Sequence, residues 1–135
     1  MKYFAVIDTN VIVSSLLSSK SDSATVQIME KVFKKEIIPL YSKEILDEYK
    51  NVLNRKKFNF SKKLVDYMLS AIENFGILKT PSEVEIILPD MKDLPFYKII
   101  SDDDDSYLIT GNLKHFPKNE RILTAREMLN LIENI

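Results

Sequence analysis

Carboxylates are the most abundant groups capable of chemistry in this chain, with 20 Asp and Glu against 19 Lys and Arg. Asp8 directly follows the apolar run Tyr3 to Ile7, and Asn112 comes just after the run Tyr107 to Thr110. Asp93 opens a segment that reads as a short helix. Carboxylate and amide oxygens suit Mg²⁺ or Mn²⁺. The sequence therefore points to a metal that activates a water and steadies a phosphoryl oxygen.

Three scarcities exclude most other chemistries. The absence of Cys excludes disulfide scaffolds, zinc ribbons and cysteine nucleophiles. Only two glycines occur, Gly76 and Gly111, so the sequence contains neither a Walker loop nor a GxGxxG loop for binding a nucleotide. The single histidine, His115, cannot make a His-rich metal site, and a Ser-His-Asp triad would have to use it alone.

Strands and helices alternate along the chain, which at 135 residues is long enough for one domain, spanning 1–135. This alternation predicts a parallel sheet with helices on both faces. Strands are predicted at Tyr3–Ile7, Ile37–Tyr41, Tyr107–Thr110 and Ile122–Leu123, and helices at 23–36, from cap Ser42 to Leu53, at 61–75, 94–100 and from cap Thr124. Ile77–Lys79 and Val84–Leu88 are expected to be short extended segments, and Gly76 is expected at the C′ position of its helix.

The working crevice of an open parallel sheet lies at the carboxyl ends of its strands. Asp8 and Asn112 share that edge, and Asp93 joins it at a helix start, where free backbone amides and the helix dipole hold an anionic group or its ligand. Asp90 is the second choice in the same segment, because it could be only a cap.

The helix after the second strand must supply the remaining acid. It offers Glu44, Asp47 and Glu48. With about 100° per residue and Ile45 at 0°, Glu48 falls at about 300°, on the border of the buried arc, whereas Asp47 points to solvent at about 200°. Glu48 is therefore predicted to join Asp8, Asp93 and Asn112 in the site. Its spacing alone would also fit a residue at the flank of the helix that pairs with a lysine.

Asp102 to Asp105 are the densest acids in the sequence. They precede the strand at Tyr107, so they belong at its amino end, across the sheet from Asp8 and Asn112. We interpret them as a solvated acidic turn rather than a metal site.

Two basic clusters flank the predicted site despite a net charge of −1. One comprises Arg55, Lys56 and Lys57, and the other includes Lys114 and His115. Such clusters are most often solvated faces, but here they could guide a phosphate backbone. His115 is interpreted as a packed or phosphate-facing side chain rather than a general base.

Four separated motifs, VIDTNVIVSSLL, YSKEILDEYKNVLNRKK, DMKDLPFY and YLITGNLKHFP, together resemble bacterial PIN-domain proteins of the toxin-antitoxin group. The resemblance implies a three-layer α/β/α sandwich and a VapC-like, metal-dependent endoribonuclease, usually a toxin neutralised by an antitoxin protein. By position, the family's acids fall on Asp8, Glu48 and Asp93, its last polar ligand on Asn112, and its supporting small polar residues on Thr9, Asn10 and Thr110.

Asn112 departs from the many PIN nucleases that have an aspartate at this place. Its amide oxygen can ligate Mg²⁺ but adds no charge. A PIN module with weak or no turnover, acting by RNA or protein binding, therefore stays open beside the nuclease. A phosphatase with Asp8 as nucleophile fits less well, because it needs a second acid two residues on, where Asn10 stands.

The amino-terminal sequence reaches Asp8 before a signal-peptide core could form, and no apolar run approaches the ~18 residues of a membrane helix. We therefore expect a cytoplasmic protein without a membrane partner. The sequence names neither the RNA nor the antitoxin, and it leaves a homo-oligomer open.

Overall fold

A five-stranded, fully parallel sheet forms the centre of the computed structural model, which describes residues 2–134. The strand order is β3-β2-β1-β4-β5, so β1 lies in the middle between β2 and β4. In register, Tyr3 pairs with Ile37 and Ile7 with Ile109. The strands are β1 (Tyr3–Ile7), β2 (Ile37–Tyr41), β3 (Ile77–Leu78), β4 (Ser106–Ile109) and β5 (Ile122–Leu123).

Helices flank the sheet and begin at the polar residues that the sequence offers as caps. Ser42, Ser61 and Thr124 each accept a backbone N–H with the side chain, and Thr124 forms a reciprocal capping box with Glu127. Among residues 2–134, no helix combines the length and hydropathy needed to cross a membrane. The helices are α1 (Thr9–Leu17), α2 (Ala24–Phe33), α3 (Lys43–Leu53), α4 (Lys62–Phe75), α5 (Leu94–Asp102) and α6 (Ala125–Glu133), with 3₁₀ turns at Lys56–Phe58, Met91–Asp93 and Leu113–His115.

The core lies around β1 and the helices that cover it. Ala5, Val6 and Ile7 are at most 1% exposed, as expected for a central strand covered on both faces. Helix α5 packs against β1, β2 and β4, while α2 packs against α1 and α6. This arrangement confirms the predicted α/β fold with a parallel sheet, and it fixes the carboxyl ends of β1 and β4 side by side.

Helix α1 is the largest element that the sequence analysis does not assign. Its sequence, TNVIVSSLL, is rich in β-branched residues and serines, which weaken the helical signal. Asp8 compensates as the N-cap, accepting the backbone N–H of Asn10. The buried side chains of Val11, Ile12 and Val13 then hold the helix against the core. Tertiary packing thus outweighs local propensity here.

Other predicted elements also differ from the structure. Strand β4 spans Ser106–Ile109 rather than Tyr107–Thr110, and β3 ends at Leu78 rather than Lys79. Val84–Leu88 forms no strand, because β3 already occupies the edge beside β2, and Ile87 is 91% exposed. Helix α2 ends at Phe33 rather than Glu36, since Lys35 adopts the left-handed region at φ 64°.

Gly76 ends α4 as predicted, but not as a left-handed cap. Its φ is −96°, in the extended region. A Cβ at this position would lie 2.5 Å from the carbonyl oxygens of both Ile72 and Pro39. Close approach of α4 to β2, rather than backbone freedom, therefore requires glycine here.

Candidate active site

Asp8 is buried and rigidly held at the carboxyl end of β1. Its side chain accepts two hydrogen bonds, from Thr110 Oγ1 at Oδ2 (2.7 Å) and from the Asn10 backbone N–H at Oδ1 (3.3 Å). The first bond is possible because β1 and β4 are parallel neighbours whose ends, Ile7 and Ile109, are in register. Thr110 and Asn10 thus fix the carboxylate of Asp8 at the predicted edge of the sheet.

Glu48 reaches the same edge from α3. It is half-buried, and its Oε2 accepts a hydrogen bond from Thr9 Oγ1. The next residue, Tyr49, is fully buried and donates its hydroxyl to the carbonyl of Ile7. Two consecutive α3 residues therefore tie the helix to the end of β1. Glu44 and Asp47, the other acids that the sequence analysis weighed on this helix, are exposed.

Burial raises the pKa of Glu48 above its ordinary value. The hydrogen bond from Thr9 opposes this shift, whereas the negative charges of Asp8 and Asp93 add to it. Arg55 is close enough to lower the pKa slightly. The balance leaves Glu48 a weaker acid than an exposed glutamate.

Asp93 is the last residue of the 3₁₀ turn Met91–Asp93 and the N-cap of α5. Its Oδ2 lies 2.9 Å from Nδ1 of His115. Burial raises the pKa of Asp93, the hydrogen bond with His115 opposes the rise, and the charge of Asp8 adds to it.

Asp8, Glu48 and Asp93 therefore lie near one another at this edge, although up to 85 positions separate them in the chain. Their ligand atoms do not all lie within 4.8 Å of one another. Asp8 raises the pKa of both other acids, and Asp93 raises that of Glu48. Carboxylates that repel one another at the edge of a sheet favour a cation between them. Strand order and helix phase predict this proximity of the three side chains, and their role as metal ligands stays a prediction.

A second, tighter grouping surrounds Asp93. Among the residues that the structure describes, Asp90, Asp93 and His115 are the set of three whose ligand atoms all lie within 4.8 Å of one another. Asp90 also caps the 3₁₀ turn, accepting the Lys92 backbone N–H at 3.0 Å. Two carboxylates and an imidazole suit a transition ion such as Mn²⁺ as well as Mg²⁺ chemistry through the oxygens.

The sequence does not predict the contact between His115 and Asp93. It indicates only that His115 is a packed or phosphate-facing side chain. The signal available was its position, six residues after β4 ends, in the turn Leu113–His115. That short turn keeps the chain at the edge where Asn112 lies.

Asn112 lies at the same edge but is placed by its backbone. Its N–H donates to Thr110 Oγ1 at 3.0 Å, and Thr110 in turn donates to Asp8. Thr110 is completely buried and so links the two predicted site residues. Asn112 itself is partly exposed, and its amide is available to a ligand at this edge.

A buried lysine fixes α5 relative to α3. Lys98 is 8% exposed at its side chain, with Nζ 2.9 Å from Glu83 and 3.6 Å from Glu44. The hydrogen bond with Glu83 raises the pKa of Lys98, and the charge of Glu44 contributes to the rise. Because Glu44 belongs to α3 and Lys98 to α5, the contact between them links α3, which supplies Glu48, to α5, which begins next to Asp93.

The residues of the basic clusters differ in whether they act on the acids. Arg55 acts on the charge of Glu48, whereas Lys56 and Lys57 are exposed on the following 3₁₀ turn. The Nζ of Lys57 lies 5.1 Å from the ring centre of Phe58. On the other side of the site, Lys114 is exposed next to His115.

The run Asp102 to Asp105 lies at the amino end of β4, away from Asp8. Asp103 contacts Lys79 through Oδ2 at 3.6 Å, and its backbone carbonyl accepts from Arg121 at 2.9 Å. Asp102 is the last residue of α5 rather than part of the loop, because the helix extends two residues beyond its predicted end at Ile100. No other Asp, Glu or His of the described chain joins these residues in a compact ligand set.

Comparison with known families identifies the fold and its usual chemistry. Among curated proteins, none is significantly similar to the chain in sequence. The family described as PIN domain matches residues 5–114, which include Asp8, Glu48, Asp93 and Asn112. PIN domains are generally nucleases, and PIN nucleases use divalent metals. Since the match spans far more than half of the sequence, the chain belongs to the PIN domain family.

Proposed function

We propose that the chain is a metal-dependent endoribonuclease and the toxin of a toxin-antitoxin pair. The observation that carries the proposal is the proximity of Asp8, Glu48 and Asp93 at one edge of the sheet, where the charge of Asp8 raises the pKa of both other acids and the charge of Asp93 raises that of Glu48. Membership of a family of nucleases supports the reaction class.

The donor set fits a hard divalent cation. Asp8, Glu48 and Asp93 offer carboxylate oxygens from three elements, and the ligand atoms of Asp90 and His115 lie within 4.8 Å of that of Asp93. We assign Asp8, Glu48 and Asp93 to Mg²⁺ or Mn²⁺, with Asn112 as a neutral supporting ligand. When bound, such an ion lowers the pKa of water and stabilises the negative charge that develops on the phosphodiester.

The protein's own contribution is to orient and to hold charge. Thr110 and Asn10 keep both oxygens of Asp8 in place, and Thr9 holds one oxygen of Glu48. Because these bonds anchor the carboxylates of Asp8 and Glu48 to regular elements rather than to flexible loops, their free lone pairs keep a fixed direction. Arg55, beside Glu48, is placed to contact a phosphate of the bound RNA.

The basic residues further out position the strand rather than cleave it. Lys56 and Lys57 extend the positive surface beyond Arg55, and Lys114 and His115 provide the corresponding surface on the other side of the acids. Lysine and arginine contacts to phosphate supply affinity with little sequence preference. The proposed substrate is therefore RNA that passes across the carboxyl edge of the sheet.

The toxin role rests on the resemblance of four motifs to toxin-antitoxin PIN proteins. It implies a small antitoxin protein that binds the chain and suppresses its activity, and a cytoplasmic setting for both. Co-expression tests this directly, because growth arrest caused by the chain alone should be relieved by the product of an adjacent small open reading frame.

The alternative is a PIN module that binds RNA without cleaving it. Asn112 favours this alternative, because an amide in place of a carboxylate removes one negative charge from the metal ligands. The two functions share the basic surface and differ only in turnover.

The deciding experiment measures cleavage and binding separately. Purified chain is incubated with single-stranded RNA, structured RNA and tRNA in Mn²⁺, Mg²⁺ or EDTA, beside Glu48→Gln, which is nearly isosteric but uncharged. We expect endonucleolytic products with Mn²⁺ or Mg²⁺, none in EDTA and none from the variant. RNA affinity, measured by fluorescence anisotropy, should persist in the variant and fall steeply with salt.

A wild type that binds RNA but leaves every substrate intact in Mn²⁺ would replace the nuclease with the binding module. Replacement of Arg55, Lys56 and Lys57 by Ala is the matched control for binding. It should weaken RNA affinity more than it slows turnover at saturating RNA.

A further inference from the structure

The two glycines of the chain are explained differently. Gly76 has no room for a side chain, since a Cβ there would lie 2.5 Å from two carbonyl oxygens. Gly111 has open space, because nothing lies within 4 Å of the position its Cβ would take. Its φ is not positive either. Neither the backbone nor the packing of this chain therefore requires glycine at 111.

Gly111 forms part of the wall of a cleft beside the proposed site. The cleft has a volume of about 440 Å³, and Asn112, His115 and Thr124 also line it. Asn112 is linked to Asp8 through Thr110, and His115 contacts Asp93. The cleft thus opens directly from the edge where the acids converge.

The cleft adjoins a second cavity of about 440 Å³, since Leu113 and Lys114 line both. The second cavity is mostly apolar, with Phe116, Pro117 and Ile122 in its walls, and its other charged lining residues are Lys118, Glu120 and Glu127. Within the described chain, neither Lys114 nor Lys118 forms an ion pair. The described lining of the first cleft includes Lys114 and His115 and no carboxylate, which suits an anionic phosphate. The apolar walls of the second cavity suit the flat base joined to that phosphate.

We infer that this pair of cavities, the 111–123 cleft, binds the nucleotide next to the phosphodiester that is cleaved. The inference rests on the proposed function for the identity of the strand as RNA. The backbone of that nucleotide passes over Gly111, where a side chain would obstruct it. Its base lies against Leu113 and Pro117, and Lys114 contacts its phosphate.

The geometry favours single-stranded RNA as the occupant. A base can enter the apolar cavity only when it is released from pairing and stacking in a duplex. Apolar walls accept the face of any base, so the cleft positions a nucleotide with modest sequence preference. Since the cleft begins at Asn112 and His115, the bound nucleotide aligns its neighbouring phosphate with the acids.

Filling the cleft at Gly111 tests the inference. Gly111→Leu places a side chain in the open space, and Gly111→Ala is the smaller step. Both should fold, with melting temperatures close to that of the wild type. Ser82→Leu, at an exposed position outside both cavities, is the matched control for adding a leucine to the surface.

Two readouts follow binding without turnover. One is the anisotropy of a labelled single-stranded RNA 12-mer in EDTA. The other is the ¹H–¹⁵N spectrum, in which only two glycine amides occur and Gly111 is readily assigned. We expect Gly111→Leu to weaken RNA binding at least tenfold, Gly111→Ala to have a smaller effect, and Ser82→Leu to have none. RNA should shift the amide signals of Gly111 and Lys114.

The outcomes separate this inference from the nuclease proposal. RNA shifts at Gly111 without any cleavage in Mn²⁺ would retain the cleft and overturn the nuclease. Cleavage and binding that are unchanged in Gly111→Leu would retain the nuclease and overturn the cleft, as would RNA shifts confined to other surfaces. Absence of both RNA binding and cleavage in the wild type would overturn both.

Discussion

The molecule has two acid-rich regions that differ in what surrounds the charges. At the carboxyl edge, Asp8, Glu48 and Asp93 come from three separate elements and are at least partly buried. At the amino end of β4, Asp102 to Asp105 are consecutive, and Asp103 is the only one of the four that is not exposed. The first region concentrates negative charge in partly buried surroundings, whereas most of the charge of the second region is exposed to solvent.

The difference shows that the density of acids in the sequence is a poor guide to a metal site. A run of neighbouring aspartates points its side chains in several directions, and water screens their repulsion. The fold instead brings Asp8, Glu48 and Asp93 near one another where water is partly excluded, and burial raises the pKa of both Glu48 and Asp93. Topology, rather than composition, brings the acids of the proposed cation site near one another.

The largest expected effect is on turnover. Asp93→Ala should reduce RNA cleavage about 100-fold or more, as expected for loss of a metal ligand. Replacing all four of Asp102 to Asp105 by Ser should leave cleavage within about threefold of the wild type. Initial rates with one single-stranded RNA in Mn²⁺, at matched circular dichroism spectra, provide the comparison. An inactive loop variant beside an active Asp93→Ala would reverse our assignment of the two regions.

An intermediate effect is expected on stabilisation by metal. Mn²⁺ or Mg²⁺ should raise the melting temperature of the wild type, because an ion that binds only the folded state stabilises it by mass action. Asp8→Asn should abolish most of that rise while preserving the cap of α1, since its amide oxygen can still accept the Asn10 N–H. The four-Ser variant serves as control and should keep the full rise. An undiminished rise in Asp8→Asn would place the ion elsewhere.

Much of the fold could be predicted because its signals are local. Apolar runs define β1 and β2, and the capping residues Ser42, Ser61 and Thr124 mark where helices begin. Helix α1 could not be predicted in this way, because its β-branched residues gain their helical state from the core rather than from propensity.

The proximity of the three acids could be predicted for a different reason. Strand order places Asp8 at the carboxyl edge of the sheet, and helix phase selects Glu48 over its exposed neighbours. The contact between His115 and Asp93 depends on side-chain directions after an irregular turn, which no periodicity encodes. The metal-binding and catalytic roles of these residues stay predictions until the variants are measured.

The smallest expected effect is on thermal stability, whose pH dependence should distinguish the partly buried Glu48 from an exposed acid. Burial and neighbouring carboxylates raise the pKa of Glu48 in the folded protein. The folded state therefore binds more protons than the unfolded state between the two pKa values, and stability falls as pH rises through them. The charge on Glu48 costs stability fully above the folded pKa and costs nothing below the unfolded one.

Glu48→Gln removes that charge and retains an oxygen that can accept from Thr9. In EDTA we expect the variant to melt about 1–4 °C above the wild type at pH 8, a shift typical of a small change in unfolding free energy for a chain of this size. The advantage should shrink as pH falls and vanish below about pH 4.3, the ordinary glutamate pKa. Asp47→Asn, one residue earlier and exposed, should show no such pH-dependent gain. Melting curves from pH 4 to 8 measure the melting temperatures of both variants. A gain in Glu48→Gln that is equal at every pH would contradict a raised pKa of Glu48. It would also contradict the distinction between crowded and dispersed acids.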